Sequence, residues 1–395
     1  MYFDDLGIYG WDGIEPLILS ALLSDLSVLL IGDIGTNKTE GAKIIAEAVL
    51  NQGIEFRHYE VPTLNFDDLV GFLNPKSLAK GSLDFVPTPF SIWQAEAALF
   101  DEINRANPFI QSKLHELIRT RKVMGLPIKL KVVFSAVNPP ETYQSGYMDL
   151  AIASRFVSVQ VPNIGEIKGT ALDKILSKNG HPPKKSKLKT LLKEAGGCQF
   201  RKKDLQKTQA LVKRVAGDLA ETEIIFNPRQ LKMMVKLLVG GHALGKVTGL
   251  NSFSDSETNT AYIEAVIPEV QGIVRSRVNY EMVHGVIRTI VGGFSLEDPM
   301  IMAKTLEELA QAEVSDSLAW VTAMKKMADQ EDNPKVLTKV ITRVRDLTRK
   351  EVIDRELGEK LIHQLATNLT TQTLLNEDVP VTCLVERINR VVTSL

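Results

Sequence analysis

Residues 27–39 read SVLLIGDIGTNKT, an apolar run of strand length that passes directly into a turn containing two glycines. The next residues, EGAKIIAEAVL at 40–50, indicate a helix. A strand that is apolar throughout, rather than alternating, is typical of a parallel sheet covered on both faces. The stretch therefore predicts a buried parallel strand, a tight loop and a helix, which together begin an α/β domain.

The turn has the spacing GxxxxGK[ST] of a phosphate-binding loop, except that Asn37 stands at the last glycine position. In such a loop, backbone N–H groups and the following helix N-terminus face the phosphates. Lys38 then reaches the β- and γ-phosphates, and the Thr39 hydroxyl ligates Mg²⁺. Asn37 is expected to be tolerated with a helical φ. The predicted ATP-binding residues are Gly32, Asp33, Ile34, Gly35, Thr36, Asn37, Lys38 and Thr39.

A second motif, AALFDEINRA at residues 97–106, places two carboxylates where an apolar strand ends. Ligands of an open α/β sheet bind beyond the carboxyl ends of its strands. Adjacent acids at such a point are costly unless they are paired or bind a metal. We therefore expect Asp101 to hold Mg²⁺ together with Thr39, and Glu102 to polarise the attacking water.

Strands alternate with helices up to about residue 162, which predicts an α/β P-loop core with a mainly parallel sheet. Amphipathic helices dominate residues 163–247 and predict a separate helical region, in which the resemblance described below places the lid. The polar stretch NSFSDSETNT at 251–260 is expected to be a linker. Residues 248–395 are almost entirely helical in pattern, and periodicity alone leaves their role open.

Composition narrows the class of protein. The 395 residues include 47 basic and 48 acidic side chains, so no overall charge favours nucleic acid as a partner. Apolar runs are too short to span a bilayer, and the first residues lack the basic segment of a signal peptide. Cys198 and Cys383 match no metal or redox spacing, which suggests a reducing compartment. A cytoplasmic protein without membrane contact is expected.

The segment DEINRANPFIQSKLHELIRTRKV at 101–123 resembles the MoxR family of AAA+ ATPases, as do FDDLVG at 66–71 and LDFVPTPFSIW at 83–93. The resemblance covers about residues 10–245. It implies an AAA+ core with a lid, hydrolysis of Mg·ATP at the subunit interfaces of a ring, expected to be a hexamer, and chaperone-like remodelling of a partner protein. Such ATPases often act with a von Willebrand factor A-domain protein.

The same resemblance assigns roles to three further residues. Asn138, after the strand VVFSAV, is similar to the sensor-1 residue that orients the lytic water. Arg155 is similar to the arginine finger that reaches a neighbouring subunit's nucleotide, although Ser154 stands where the family commonly has an acid. Arg229, beside Pro228 at a helix start, is similar to the sensor-2 arginine.

Two other functions stay open. Replacement of the usual phosphate-loop prolines by Asp33 and Ile34 is compatible with an ATP-dependent scaffold or switch that hydrolyses little. The predicted hairpin at residues 120–133, with Arg121, Lys129 and Lys131, is compatible with a motor that acts on nucleic acid. The balanced charge disfavours the motor, and the presence of Glu102, Asn138 and Arg155 disfavours the scaffold.

Overall fold

The structure of the chain is a computed structural model. It describes residues 2–51, 53–82, 84–143, 146–167, 169–176, 187–199, 202–220, 222, 224, 226–292, 306–311, 314, 317–328, 331 and 334–376. Cys383 lies outside these residues, whereas Cys198 is a half-buried free thiol. No helix within the described ranges is both long enough and apolar enough to cross a bilayer. The chain divides into two compact units, Met1–Thr289 and Ile290–Leu395.

The first unit is built on a five-stranded parallel sheet with the strand order β2-β5-β8-β1-β9. Its strands are β1 (Ser27–Ile31), β2 (Phe56–Glu60), β5 (Ala97–Asp101), β8 (Val132–Val137) and β9 (Phe156–Gln160). Two small antiparallel hairpins pair β3 (Phe72–Leu73) with β4 (Phe85–Val86) and β6 (Lys122–Val123) with β7 (Leu126–Pro127). The predicted α/β core and parallel sheet are confirmed.

Fourteen helices are described from the N-terminus to residue 292. They are α1 (Tyr2–Asp5), α2 (Glu15–Leu23), α3 (Lys38–Val49), α4 (Phe66–Val70), α5 (Pro75–Leu78), α6 (Pro108–Thr120), α7 (Pro140–Tyr143), α8 (Leu150–Ala153), α9 (Thr170–Leu176), α10 (Leu188–Gly196), α11 (Lys202–Ala220), α12 (Pro228–Thr248), α13 (Ser256–Glu264) and α14 (Tyr280–Gly292).

Helices cover both faces of the sheet, which explains why its central strands are apolar throughout. Every residue of β1 and β8 is buried. Alternate residues of a strand point to opposite faces. On one face Leu29, Phe100 and Val133 share a core cluster with Leu114 and Leu117 of α6. Helices α2 and α3 pack against the sheet as well. Burial of these side chains supplies the main driving force for folding.

The chain returns to the sheet after α12 and α13. The hydroxyl of Ser20 in α2 donates to the Leu237 carbonyl of α12 at 2.6 Å. Beyond α13, the Ala265 carbonyl accepts from the backbone N–H of Ser158 in the edge strand β9 at 2.8 Å. Ile273 joins the main core cluster. The first unit therefore continues well past residue 247, while the predicted boundaries at 162 and 247 stay predictions.

The polar stretch at 251–260 is not a linker, contrary to the sequence-based expectation. It begins with a short 3₁₀ turn, and Asp255 then caps α13 by accepting from Thr258 N–H at 2.7 Å. Tyr262 in α13 is fully buried, and its hydroxyl donates to the Phe253 carbonyl at 3.0 Å. Polar residues here satisfy a helix end, while a single aromatic side chain anchors the helix.

The second unit has four described helices besides the end of α14, namely α15 (Leu306–Gln311), α16 (Ser317–Ala328), α17 (Pro334–Arg349) and α18 (Arg355–Asn376). They enclose a separate apolar cluster centred on Trp320, Leu337 and Leu361. The Trp320 indole donates to the Leu309 carbonyl at 3.1 Å, so the polar atom of this buried ring is satisfied. The predicted helical character of this region is confirmed.

Candidate functional site

The strand order brings three sequence motifs to one edge of the sheet. The phosphate loop follows β1, the acidic pair follows β5, and Asn138 follows β8. Because β8 lies between β1 and β5, Asn138 lies between the loop and the acids. All three strands are parallel, so their carboxyl ends meet at the same edge.

The phosphate loop is held by positive backbone torsion angles. Gly35 has φ +83° and Asn37 has φ +63° with ψ +24°, a left-handed conformation. The expected helical φ at Asn37 is therefore corrected: the backbone is helical, but left-handed rather than right-handed. Glycine adopts this left-handed conformation without strain. Asparagine is one of the few other residues that tolerate this conformation. The departure from the motif therefore preserves the loop geometry.

Lys38 is almost fully buried beneath the loop. Its ammonium donates to the Gly32 and Asp33 carbonyls at 2.8 and 2.7 Å and to Oδ1 of Asn138 at 3.2 Å. Burial lowers the pKa of Lys38, while the charges of Asp101, Asp33 and Glu102 oppose this shift. The lysine thus links the phosphate loop to Asn138, which follows β8.

Thr39 and Asp101 form an oxygen pair suited to a divalent cation. The Thr39 hydroxyl lies 3.3 Å from Oδ2 of Asp101, and Nε2 of His58 lies 3.4 Å from the same oxygen. Burial raises the pKa of Asp101, but hydrogen bonds from His58, Thr39 and the Glu102 N–H, with the charge of His58, bring it below its usual value. Hydroxyl and carboxylate oxygens are the ligands that Mg²⁺ prefers, so these two residues fit the predicted ion.

Glu102 is turned away from the direction of its strand by a left-handed backbone, with φ +52°. Its Oε1 accepts from the Asn138 amide at 3.3 Å, and its Oε2 accepts from Arg105 at 3.2 Å. The neighbouring Asp101 instead faces Thr39. The two adjacent carboxylates therefore point to different partners, as their predicted division of labour requires.

These groups line a common cavity of about 610 Å³. Its lining includes Ile34 to Glu40 of the loop and helix start together with Asp101, Glu102 and Asn138. Glu60, the last residue of β2, also lines it together with Pro62 and Thr63, which follow the strand; none of the three is among the residues predicted from the sequence. The register between β2 and β5 sets Glu60 opposite Asp101, so a prediction that extended the strand-end rule to β2 would have found it. Gly32 and Asp33 line a second cavity of about 640 Å³, beside Ile14 and Glu166.

Arg155 and Arg229 lie elsewhere, because neither lines the cavity that contains Lys38. They lie close enough together for the charge of Arg229 to lower the pKa of Arg155, after the larger effect of burial and together with Arg119. Arg229 is exposed at the start of α12, where Asn227 caps the helix. With Arg119, the two arginines thus form one cationic surface, and none of the three lines the cavity at the phosphate loop.

Comparisons with known proteins agree with this architecture. Residues 27–156 match the family model of the AAA domain, dynein-related subfamily. Among solved structures, 110 chains match. One is a candidate ATPase from Cytophaga hutchinsonii, with a TM-score of 0.53 and 17% sequence identity, over 74% of this chain and 93% of the other. No curated protein matches.

The family match begins at the first residue of β1 and ends at the first residue of β9, so it contains the phosphate loop, the acidic pair and Asn138. The structural likeness at 17% identity concerns the fold alone. Residues 27–156 are thus similar to an AAA domain, and the chain has the fold expected of one, with a five-stranded parallel α/β core and a helical C-terminal region.

Proposed function

We propose that this chain is a MoxR-like AAA+ ATPase, which hydrolyses Mg·ATP at the subunit interfaces of a ring and uses it to remodel a partner protein. The observation that carries the proposal is the linked set of Lys38, Asn138 and Glu102 at the mouth of the phosphate loop. Each of these groups has a distinct task in phosphoryl transfer, and the set has no comparable use in a purely structural turn.

Binding of ATP is assigned to the loop Gly32–Thr39. Its left-handed positions at Gly35 and Asn37 turn the backbone around the phosphates, and α3 begins at Lys38, within the loop. Lys38 would exchange its bonds to the loop carbonyls for bonds to the phosphates. The second cavity, lined by Ile14 and Glu166 on the other side of Gly32, offers room for the base. Thr39 and Asp101 would hold Mg²⁺, which neutralises phosphate charge when bound.

Hydrolysis is assigned to Glu102 and Asn138. The Glu102 carboxylate takes a proton from the attacking water, or polarises it, once the water lies within hydrogen-bond distance. Asn138 holds that carboxylate through its Nδ2 and faces Lys38 through its Oδ1. An amide suits this position because it donates on one side and accepts on the other.

Completion of the site by a neighbouring subunit rests on the cationic surface. After the larger effect of burial, the charges of Arg229 and Arg119 lower the pKa of Arg155, and a cluster of like charges gains most from an anionic partner. Since Arg155 lies outside its own subunit's cavity, the triphosphate of a second copy is the partner that we infer. A guanidinium supplied in this way would neutralise transition-state charge.

The test is phosphate release across a protein concentration series. We expect activity per subunit to rise with concentration. Glu102→Gln and Arg155→Ala should each lower it by at least about a hundredfold. Arg355→Ala, a change at a side chain that is 80% exposed in the second unit, is the control and should leave it unchanged. Activity that survives Arg155→Ala would contradict the shared site.

Mixing the two inactive variants gives a sharper result. An interface that takes Glu102 from an Arg155→Ala subunit and Arg155 from a Glu102→Gln subunit contains both wild-type groups. We therefore expect a mixture to regain part of the wild-type rate, although neither variant is active alone. A site complete within one subunit would give no such recovery.

The observed contacts favour neither alternative function. Arg121, one of the three basic residues expected on the hairpin, donates within its own chain to the Ile118 carbonyl and to Ser27. Lys131 pairs with Glu96 at 3.1 Å. These contacts weigh against a nucleic-acid motor, and the Glu102–Asn138 contact weighs against a scaffold without hydrolysis. A von Willebrand factor A-domain protein is the client that we would test first for co-purification.

A further inference from the structure

Arg155 is held inside its subunit by groups that lie on two helices. Its Nη1 donates to the Ala151 carbonyl of α8 and lies 2.9 Å from Nε2 of His115 on α6. Its Nε is buried and makes no hydrogen bond within the described part of the chain. The Ser154 hydroxyl, which precedes it, donates to the Ala151 carbonyl instead of contacting the guanidinium. The imidazole is thus the side chain that fixes where the guanidinium points.

The chemistry of the contact determines the state of the imidazole. A guanidinium has only donors. Nε2 of His115 must therefore accept the hydrogen bond, which requires a neutral ring with its proton on Nδ1. A protonated imidazole has no acceptor and would place a further positive charge beside Arg155. The hydrogen bond between Arg155 and His115 therefore exists when the imidazole is neutral and is lost when the imidazole is protonated.

The surroundings favour the neutral ring. Burial lowers the pKa of His115, and the charges of Arg155 and Arg229 lower it further, whereas Asp149 at the start of α8 and the backbone of Ala151 act in the opposite direction. Arg119 lies one helical turn beyond His115 on α6, and its positive charge also acts on the guanidinium of Arg155. His115 is hence an uncharged acceptor in the middle of a cationic group.

We propose that His115 is a positioning residue for Arg155, holding its guanidinium in register for the nucleotide of a neighbouring copy and releasing it when the ring gains a proton. This inference rests on the proposed function, in which Arg155 completes the neighbour's site. His115 itself contacts no reacting group in this scheme and acts only through the arginine.

Three substitutions test the role. Histidine 115 is replaced by glutamine (His115→Gln), which keeps a neutral acceptor, by alanine (His115→Ala), which removes it, and the alanine change is combined with Arg155→Ala. We expect His115→Ala to lower kcat about tenfold with little change in KM, because a misplaced catalytic group costs turnover rather than ground-state binding. His115→Gln should recover to within about threefold of the wild type. The double variant should be no slower than Arg155→Ala alone.

The pH profile separates positioning from a merely structural role. Wild-type turnover should fall on the acid side of neutrality as His115 gains a proton. His115→Gln, which cannot gain one there, should lose that limb of the profile. A profile that is identical in the two proteins, or an alanine variant as active as wild type while Arg155→Ala is inactive, would overturn the proposal for His115 alone.

A measurement on the ring itself does not depend on activity. Nitrogen NMR shifts of the imidazole should show the Nδ1–H tautomer in the wild type, and Arg155→Ala should raise the pKa of His115 by removing the adjacent charge. An Nε2–H tautomer would overturn the proposal even in an active ATPase. If Arg155→Ala is fully active, the shared site fails, and the positioning role fails with it.

Discussion

The side-chain amide of Asn138 lies between Lys38, which follows β1, and Glu102, which follows β5, and it donates to Oε1 of Glu102 at 3.3 Å. Because β8 separates the strand of the phosphate loop from the strand of the acids, the end of β8 is the point from which one side chain reaches both. The same amide accepts from the ammonium of Lys38. Its loss would disconnect the carboxylate from the loop.

We expect Asn138→Ala to lower kcat about a hundredfold, a loss typical of removing one oriented hydrogen-bonding group from a reacting centre. ATP affinity, measured by titration calorimetry, should change by less than about threefold, since every residue of the loop Gly32–Thr39 that is assigned to the phosphates is retained. Ser135→Ala on the same buried strand is the matched control, because that hydroxyl makes no hydrogen bond within the described residues. A large loss of ATP affinity in Asn138→Ala would contradict the assigned role.

Chelation of divalent cations should abolish hydrolysis, and Mg²⁺ should restore it. Asp101→Asn and Thr39→Ala should both raise the Mg²⁺ concentration needed for half-maximal activity, because each removes part of the oxygen pair. Thr39→Ser keeps the hydroxyl and should stay within about threefold of wild type. If Thr39→Ser and Thr39→Ala respond to Mg²⁺ alike, the hydroxyl has no part in holding the ion.

The left-handed backbone of Asn37 predicts an ordered series of variants. Asn37→Gly should leave stability nearly unchanged, whereas Asn37→Ala should cost about 1 kcal/mol, because a left-handed φ is strained for a residue with an ordinary Cβ. The free energy of unfolding of the first unit, followed by denaturant titration, measures the difference. An alanine variant as stable as the wild type would mean that the loop relaxes to another conformation.

Two glycines in long helices should respond in opposite directions. A Cβ at Gly241 of α12 would lie 2.4 Å from the Tyr262 ring and 2.6 Å from the Phe253 carbonyl, so Gly241→Ala should destabilise by about 1–3 kcal/mol through overpacking. Gly217 of α11 has open space around it, and Gly217→Ala should stabilise by about 0.5–1 kcal/mol through helix propensity. Hydrogen exchange of the backbone amides in α11 and α12 measures both changes in stability. Equal effects would contradict the close packing at Gly241.

Much of the core was predictable because its signals are local. The apolar run at β1, the loop spacing and the acids after β5 each lie within a few residues, and each implies its neighbours through strand and helix geometry. These local signals were enough to predict the parallel sheet and the edge of it at which the phosphate loop and the acids meet. The position of Asn138 between Lys38 and Glu102 required only that β8 belong to the same sheet.

Other features depend on contacts between residues that are distant in sequence. His115 lies on an ordinary amphipathic helix, and nothing near it indicates that it meets Arg155. The proximity of Arg229 to Arg155 depends on how α12 is placed relative to the sheet. The polar stretch at 251–260 predicts a linker because the apolar residues that anchor α13, Tyr262 and Ile263, lie just beyond it. Periodicity carries no information about such pairs.

The return of the chain to β9 has a mechanical consequence. The helical segment leaves the sheet where Val161 N–H donates to the Ile31 carbonyl, and it comes back where Ala265 binds Ser158. Ser158 lies in β9 and Val161 directly follows that strand, so the two points are three residues apart, about 10 Å. A body fastened at one point can tilt in any direction, but one fastened at two can turn only about the line that joins them. Any swing of α12 about that line must also shift the bond between its Leu237 carbonyl and Ser20 of α2.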